Sequence, residues 1–278
     1  MTRDMISNAS QRRTPALRVL VLLVLCVVFL SSSEHKMRQK GRRMKVEIWS
    51  DVVCPWCYIG KRRFEQALSK FENQKYLDIE WKSYQLDPEM ETDTSLSIHE
   101  YLASRKGITM GQAIVMGDNV ARVAQSVGLT YHLDKTIPVN TINAHRLLHF
   151  AKTKGRQNEM KEQLLNAYFT QGKNLDDYVV LVDLASGIGL DSAAVREVLE
   201  SNNYRDEVRE DIVEGVRLGL RGVPFFVFDR KYGISGAQET DVFTRTLEKS
   251  FTEWLENNPQ ENLQVINGKV CTPDGKCD

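Results

Sequence analysis

Two cysteines three positions apart separate a segment with the periodicity of a strand from a segment with the periodicity of a helix. Polar and apolar residues alternate over residues 45–50, which predicts a strand. The sequence Cys54-Pro55-Trp56-Cys57 follows after three residues, and over residues 55–71 the apolar side chains recur at helical spacing. Pro55 suits the first turn of this helix, where its missing N–H leaves no hydrogen bond unmade. The cysteine pair is therefore predicted to open a helix directly behind a strand.

A cysteine pair in this position has the chemistry of a redox-active dithiol. The first turn of a helix presents unpaired N–H groups and the positive end of the helix dipole, so the pKa of the Cys54 thiol is expected to fall. A thiolate is the species that attacks a disulfide, and Cys57 lies one helical turn away. We therefore predict that Cys54 attacks and Cys57 resolves, with Pro55 and Trp56 contacting the substrate.

Zinc binding and a structural disulfide are the alternatives for this pair. Cys-Pro-x-Cys also occurs in zinc knuckles, but a glycine usually follows the second cysteine there, whereas Tyr58 follows it here. A four-sulfur zinc site would also need Cys271 and Cys277, and zinc quantification on the purified protein tests it. The strand-to-helix context favours redox chemistry, so we predict neither a metal nor another cofactor.

The remaining pattern predicts an α/β fold that a helical segment interrupts. Residues 78–86 alternate again, which gives strand–helix–strand, the start of a parallel sheet. Apolar residues recur at helical spacing through about residues 95–220. Residues 225–228 and 232–235 then predict a hairpin, and residues 241–257 predict a final amphipathic helix. The sequence thus predicts one sheet with a large all-helical insertion.

The strand at residues 225–228 begins directly after Gly222-Val223-Pro224. A cis bond before Pro224 would turn the chain sharply and leave the backbone of Val223 free to pair with an extended substrate. An ordinary trans proline is also common at the start of a strand. The residue types alone leave both forms open.

Charge divides the chain into a basic leader and a mildly acidic remainder. Residues 1–43 contain nine lysines and arginines against two acidic residues, whereas the other 235 residues contain 28 against 35. The domain predicted over residues 44–258 has no basic stripe, so nucleic acid is not an expected partner. The five cysteines, of which Cys26 lies in the leader, are too few for a disulfide scaffold.

The leader contains an uncharged apolar run of twelve residues, Val19–Leu30. A helix that spans a bilayer needs about 20 residues, so the run fits the apolar region of a secretory signal better than a membrane anchor. Met44 offers a third interpretation, in which the functional protein starts at the first strand. We predict a cytoplasmic protein, with membrane attachment through residues 19–30 or export through residues 12–33 as alternatives. Mass spectrometry of the native N-terminus distinguishes the three.

Several separated motifs resemble those of the DsbA-like thioredoxin superfamily, and in particular its FrnE-like branch. The resemblance covers about residues 45–255 and rests on four runs: residues 48–60, Asn143-Ala144-His145-Arg146, residues 223–228 and Ser235-Gly236-Ala237-Gln238. It implies a thioredoxin fold with a helical insertion and a cis bond before Pro224, so that Val223 and Pro224 bind the substrate beside the dithiol. It also implies thiol–disulfide exchange with disulfide-containing proteins or with small thiols such as glutathione.

The superfamily also contains glutathione-dependent 2-hydroxychromene-2-carboxylate isomerases and kappa-class glutathione transferases. These relatives typically carry serine where this sequence has Cys54, so the cysteine favours dithiol exchange. A glutathione-dependent isomerase of this type, or a polyketide-tailoring isomerase, is the alternative function. In the isomerase-like relatives the segment that matches His145 and Arg146 approaches the active site. These two residues are therefore candidates for lining the site, and packing within a buried helix is the competing interpretation.

The tail, residues 259–278, ends in a second cysteine pair. Pro-Asp-Gly lies between Cys271 and Cys277, and a turn at that sequence brings the two sulfurs near each other. A pair of this kind also resembles the tails of FrnE-like proteins. The hypothesis is an auxiliary dithiol that exchanges with Cys54 and Cys57, and the alternatives are a local structural disulfide or two idle thiols. The sequence carries no signal for an oligomeric state.

Overall fold

The structure of the protein, a computed structural model, describes residues 42–258. The predictions made for the apolar run of the leader, for Cys26 and for the pair Cys271 and Cys277 lie outside the described residues. The described elements, in chain order, are β1 (Met44–Ser50), α1 (Pro55–Ser69), β2 (Leu77–Ser83), α2 (Ile98–Lys106), α3 (Met110–Ser126), α4 (Ile142–Thr153), α5 (Gln157–Phe169), α6 (Tyr178–Ser186), α7 (Ser192–Glu200), α8 (Arg205–Arg217), β3 (Phe225–Phe228), β4 (Tyr232–Ser235) and α9 (Thr240–Asn257).

The four strands form one mixed sheet in the order β2-β1-β3-β4. β1 and β2 run parallel and pair along their whole length, from Met44 opposite Leu77 to Ser50 opposite Ser83. β3 pairs with the other edge of β1 in the antiparallel sense and continues into the β4 hairpin. The predicted parallel start and the predicted hairpin are both confirmed. β2 stops at Ser83 instead of Leu86, because β1, its pairing partner, ends opposite Ser83.

Two helices, α1 and α9, pack together on the sheet and close its aromatic core. Phe64 of α1 and Phe243 of α9 are buried against Phe226 of β3. The ring centroids of Phe226 and Phe243 lie 4.7 Å apart in an edge-to-face arrangement, which aromatic pairs prefer. This packing fixes α1, and with it the cysteine pair at its start, against the sheet.

The segment between β2 and β3 is helical throughout its regular elements and has its own core. Seven helices, α2 to α8, lie between these two strands in the described chain, which confirms the predicted insertion. Its buried side chains come mainly from α4 to α7, including Leu147, Leu164 and Val195. Among residues 42–258 no helix is both long enough and apolar enough to cross a membrane.

A buried polar contact holds the last helix of the insertion against the sheet. The indole N–H of Trp49 in β1 donates to the carbonyl of Asp211 in α8 at 2.6 Å, and the backbone N–H of Ser83 donates to its carboxylate at 2.8 Å. Gly215, one turn further along α8, lets the Trp49 ring approach so closely that an added Cβ would lie 2.7 Å from Nε1. The absence of a side chain at Gly215 is therefore required for this docking.

We predict that Gly215→Ala lowers the free energy of unfolding by about 1–3 kcal/mol, because the added methyl group must displace the buried Trp49 ring. Gly111→Ala is the matched control, since Gly111 also lies in a helix but its Cβ would meet no atom within 4 Å. That variant should gain up to about 1 kcal/mol from helix propensity. Urea unfolding of both variants is the measurement, and equal effects would contradict the prediction.

Candidate active site

The cysteine pair lies where the chain leaves β1 and enters α1. Cys54 occupies the cap position before the helix, with an extended backbone (φ −87°, ψ 113°), and Cys57 lies in the first turn. The backbone N–H of Cys57 donates to the carbonyl of Cys54 at 3.0 Å. Both residues are free thiols and nearly inaccessible, with 4% and 1% of their surfaces exposed. The predicted position between strand and helix is therefore what the structure has.

The start of β3 lies directly against the first cysteine. The Val223–Pro224 bond is cis, the form that the resemblance implies. The Cys54 sulfur lies 3.6 Å from the carbonyl oxygen of Val223. Pro224 is buried, and Gly60 of α1 makes room for it, since a Cβ there would lie 3.0 Å from the proline ring. The structure thus brings together Cys54, Val223 and Pro224, which are separated by about 170 residues in the chain.

A cavity of about 710 Å³ opens beside this cysteine. Cys54, Pro55, Trp56 and Val223 line one end of it, and Trp56 is 43% exposed. The opposite wall comes from the insertion and is mainly apolar; it includes Met90, Ile98, Leu102, Met116, Val120 and Leu133. Cys57 lies behind Cys54 and does not line the cavity, so a substrate that enters it meets Cys54 first.

The charges around the dithiol favour a thiolate on the inner cysteine. Burial raises the pKa of Cys57, but the hydrogen bond from Cys54 and the charge of Lys161 outweigh burial and lower it. The same hydrogen bond, together with burial, raises the pKa of Cys54 well above its ordinary value. The two thiols therefore titrate as a pair that carries one negative charge, and the lowered pKa expected at the helix start belongs to the pair. The helix dipole acts on Cys54, but the ammonium group of Lys161 favours Cys57.

Asp51 lies in the loop between β1 and the cysteine pair, and its side chain is fully hydrogen-bonded there. Its carboxylate accepts hydrogen bonds from the backbone N–H of Val52 at 2.7 Å, from that of Leu86 at 2.8 Å and from His145 at 3.1 Å. Burial raises its pKa, but the hydrogen bond from His145 and the others outweigh burial and lower it. Asp51 is therefore an ionised acceptor, which requires Nε2 of His145 to carry a proton.

His145 contacts Asp51 but does not line the cavity. Its ring is completely buried in α4, and burial lowers its pKa more than the contact with Asp51 raises it. The ring is therefore neutral, with its proton on Nε2, and Nδ1 has no hydrogen-bond partner among the described residues. His145 is thus a buried packing residue that also contacts the site, because its ring positions Asp51.

Arg146 does not line the cavity, contrary to the expectation from the isomerase-like relatives. Its guanidinium group turns to the opposite side of α4, where it donates to the carbonyl of Ser201 at 2.6 Å and contacts that of Val198. Its Nε donates to the carbonyl of Asn203 at 2.7 Å. These acceptors lie in the last turn of α7 and directly after it, where carbonyl groups lack helical partners. Adjacent residues on a helix point about 100° apart, so His145 and Arg146 cannot both face the dithiol.

Sequence reasoning missed two charged residues beneath the pair, Asp51 and Lys161. Asp51 stands three positions before Cys54, inside the motif, but a polar residue there looks like part of a turn. Lys161 offered a clearer signal, because it shares the inward face of α5 with Leu164, Leu165 and Tyr168. A lysine on an apolar face is rarely buried unless it has a role there.

The chain matches the model of the DSBA-like thioredoxin domain over residues 45–248. The chain belongs to this family. A probable DsbA oxidoreductase from Streptomyces coelicolor is 38% identical in its solved structure, with a TM-score of 0.71, and the match covers 85% of this chain and 99% of that one. The uncharacterized protein YwbO from Bacillus subtilis (strain 168) is 25% identical over 204 residues, which are 73% of this chain and 94% of YwbO.

A second solved member of this structural class is more distant. The cytosolic disulfide reductase DsbM from Pseudomonas aeruginosa is 17% identical, with a TM-score of 0.55 over 75% of this chain and 99% of that one. At this identity the likeness shows the fold alone. The DsbA-like fold with its helical insertion is therefore established for this chain, in agreement with the resemblance of its motifs.

We predict that His145 makes stability depend on pH in the range below neutrality. Its pKa is lowered by folding, so the unfolded chain binds a proton first as the pH falls through the ordinary histidine value of about 6.5. Stability should therefore fall as the pH decreases from about 6.5, by at most about 1.4 kcal/mol per pH unit from this group. Urea unfolding at several pH values should show a shallower decline in His145→Gln, and parallel profiles would contradict the assignment.

Proposed function

We propose that the protein is a thiol–disulfide oxidoreductase that exchanges disulfides with protein or small thiol substrates through Cys54 and Cys57. One observation carries the proposal: Cys54 lines the cavity 3.6 Å from the carbonyl oxygen of Val223, whereas Cys57 does not line it. A substrate disulfide that enters the cavity can thus reach one sulfur, while the second sulfur is protected until a mixed disulfide forms.

The exchange proceeds in two displacements. The sulfur of Cys54, as a thiolate, attacks one sulfur of the substrate disulfide, and the other substrate sulfur leaves as a thiolate that takes up a proton. The sulfur of Cys57 then attacks Cys54, which forms the protein disulfide and releases the second substrate thiol. The protein loses two electrons and the substrate gains them. In the oxidising direction the same steps run in reverse.

In the reduced protein the thiolate is favoured on Cys57, whereas Cys54 is the sulfur that attacks. Proton transfer between the two cysteines makes these two statements compatible. The hydrogen bond between them lets the Cys57 thiolate accept the proton of Cys54 when a substrate disulfide arrives. Cys57 then waits as a thiol until the mixed disulfide forms. The dithiol therefore shares one negative charge, and access, not resting pKa, selects Cys54 as the attacking sulfur.

The surroundings of Cys54 support both kinds of substrate. The cavity falls within the range of about 300–1,000 Å³ that is typical of small-ligand pockets, and DsbM of the same fold has been solved with GSH. Beside it, the backbone carbonyl of Val223 precedes β3 and can accept a hydrogen bond from an extended peptide. Pro55 and Trp56 complete the wall that either substrate would contact.

We predict that Cys54→Ser reduces the rate of dithiothreitol-driven insulin reduction to that of the uncatalysed control, because the attacking sulfur is lost. Cys57→Ser should instead accumulate a mixed disulfide at Cys54, visible as a mass increase that a reductant reverses. Equal rates for Cys54→Ser and wild type would refute the proposal. An assay with aromatic isomerase substrates, active in the presence of glutathione, would then support the isomerase alternative.

The auxiliary dithiol in the tail stays a prediction, since Cys271 and Cys277 lie outside the described residues. If the pair exchanges with Cys54 and Cys57, the double variant Cys271→Ser/Cys277→Ser should turn over insulin normally but reoxidise more slowly with glutathione disulfide. Unchanged turnover and reoxidation would leave the tail without a redox role. The cytoplasmic location, with attachment or export through the leader as alternatives, likewise stays a prediction.

A further inference from the structure

Lys161 is a fully buried lysine beneath the dithiol that has no carboxylate partner in the described chain. Its side chain extends from α5, where 0% of its surface is exposed, and its Nζ lies 3.3 Å from the carbonyl oxygen of Ser50. The same Nζ lies 5.5 Å from the centre of the Trp81 ring. No carboxylate oxygen of residues 42–258 lies within 4 Å of it.

A second buried lysine shows the ordinary arrangement. Lys61 of α1 is 1% exposed, and its Nζ lies 2.5 Å from Glu65 and 2.6 Å from Glu162. These carboxylates compensate the charge that burial removes from water. A buried ammonium group without such partners is strongly disfavoured and normally loses its proton instead. Lys161 therefore needs an anion from somewhere else in its surroundings.

The dithiol is the group that can supply this anion. The groups whose charges act on Lys161 are Cys57, Asp51 and Cys54, which favour the ammonium form, and Lys61, which opposes it. His145, on α4, also senses its charge but is neutral. Asp51 already accepts hydrogen bonds from Val52, Leu86 and His145. The thiolate of the cysteine pair is the remaining negative charge in this environment.

We propose that Lys161 is a positioning residue for the dithiol: its ammonium group compensates the thiolate of the reduced pair and loses that compensation when the disulfide forms. Lys161 then favours the dithiol over the disulfide, which makes the disulfide form a better oxidant of substrate thiols. The inference rests on the proposed function and adds the direction in which the site drives electrons.

The electrons and protons of the exchange with glutathione balance when Lys161 accepts one proton. The protein disulfide accepts two electrons from two glutathione thiols, which become glutathione disulfide. The two thiols give up two protons. Cys54 takes up one of them and the amine of Lys161 takes up the other, while Cys57 is formed as a thiolate. Burial lowers the pKa of Lys161 to about 8 even beside the pair, so its neutral form is accessible once the thiolate is gone.

Two variants separate the charge of Lys161 from its shape and its hydrogen bond. Lys161→Met keeps an apolar stem of similar length, and Lys161→Gln keeps an N–H donor for the carbonyl of Ser50. Lys152→Met is the control, because Lys152 lies on the insertion but is half-exposed and paired with Glu80. Replacing a buried charged side chain by a neutral one of similar volume is not expected to unfold the protein, and thermal unfolding checks this.

The first measurement is the thiolate absorbance at 240 nm of the reduced full-length protein against pH, after subtraction of the Cys54→Ser/Cys57→Ser protein. The second is the equilibrium between dithiol and disulfide in glutathione buffers. Both charge-removing variants should raise the thiolate midpoint by about one pH unit or more and shift the equilibrium about tenfold or more toward the disulfide. Lys152→Met should match wild type in both.

The outcomes separate this inference from the proposed function. If wild type neither equilibrates with glutathione nor accelerates insulin reduction, the proposed function fails, while the absorbance titration still tests the role of Lys161. If wild type exchanges normally but both variants titrate and equilibrate as it does, the inference about Lys161 is wrong. If Lys161→Gln behaves as wild type and Lys161→Met does not, the hydrogen bond to Ser50 is what matters, and the charge role is also wrong.

Discussion

The pairing of β1 with β2 on one edge and β3 on the other is the constraint on which the rest of the structure depends. β1 ends at Ser50, and the cysteine pair follows within a few residues. β3 begins at Phe225 and pairs with Trp49, so Pro224 and Val223 must lie beside that same end of the sheet. One antiparallel register therefore places the carbonyl of Val223 against Cys54. The helical insertion can vary in length without changing this contact, because it leaves the sheet after β2 and returns before β3.

The insertion is nevertheless part of the chemistry, since it supplies the groups behind and above the dithiol. α4 contributes His145, which orients Asp51, and α5 contributes Lys161, which lies under the loop that follows β1. α2 and α3 supply the far wall of the cavity that Cys54 faces. A thioredoxin core alone would present the dithiol to solvent. Here the same dithiol lies in a cleft whose apolar wall and buried charges both come from the inserted helices.

The sulfur whose thiolate Lys161 favours is not the sulfur that the cavity exposes to a substrate. Cys54 lies at the start of α1 and lines the cavity. The buried ammonium group of Lys161, in contrast, favours a thiolate on Cys57. A shared proton makes these tendencies compatible, because the charge can pass between two hydrogen-bonded sulfurs as a substrate arrives. In the mechanism that we propose, buried Lys161 keeps the reduced pair anionic, and the substrate reacts with the sulfur that lines the cavity.

The sequence by itself predicted the main elements and singled out the cysteine pair between strand and helix. Alternation, helical spacing and a short apolar run predicted β1, α1, the β3–β4 hairpin and α9, because each of these patterns lies within a single element. The spacing of Cys54 and Cys57 indicated a dithiol, because i and i+3 meet on one helix face. Only the tertiary structure decided which way His145 and Arg146 point, where β2 ends and which sulfur faces the cavity. These depend on contacts between residues far apart in the chain, such as Lys161 with Ser50 and Cys54 with Val223, and no local pattern records such contacts.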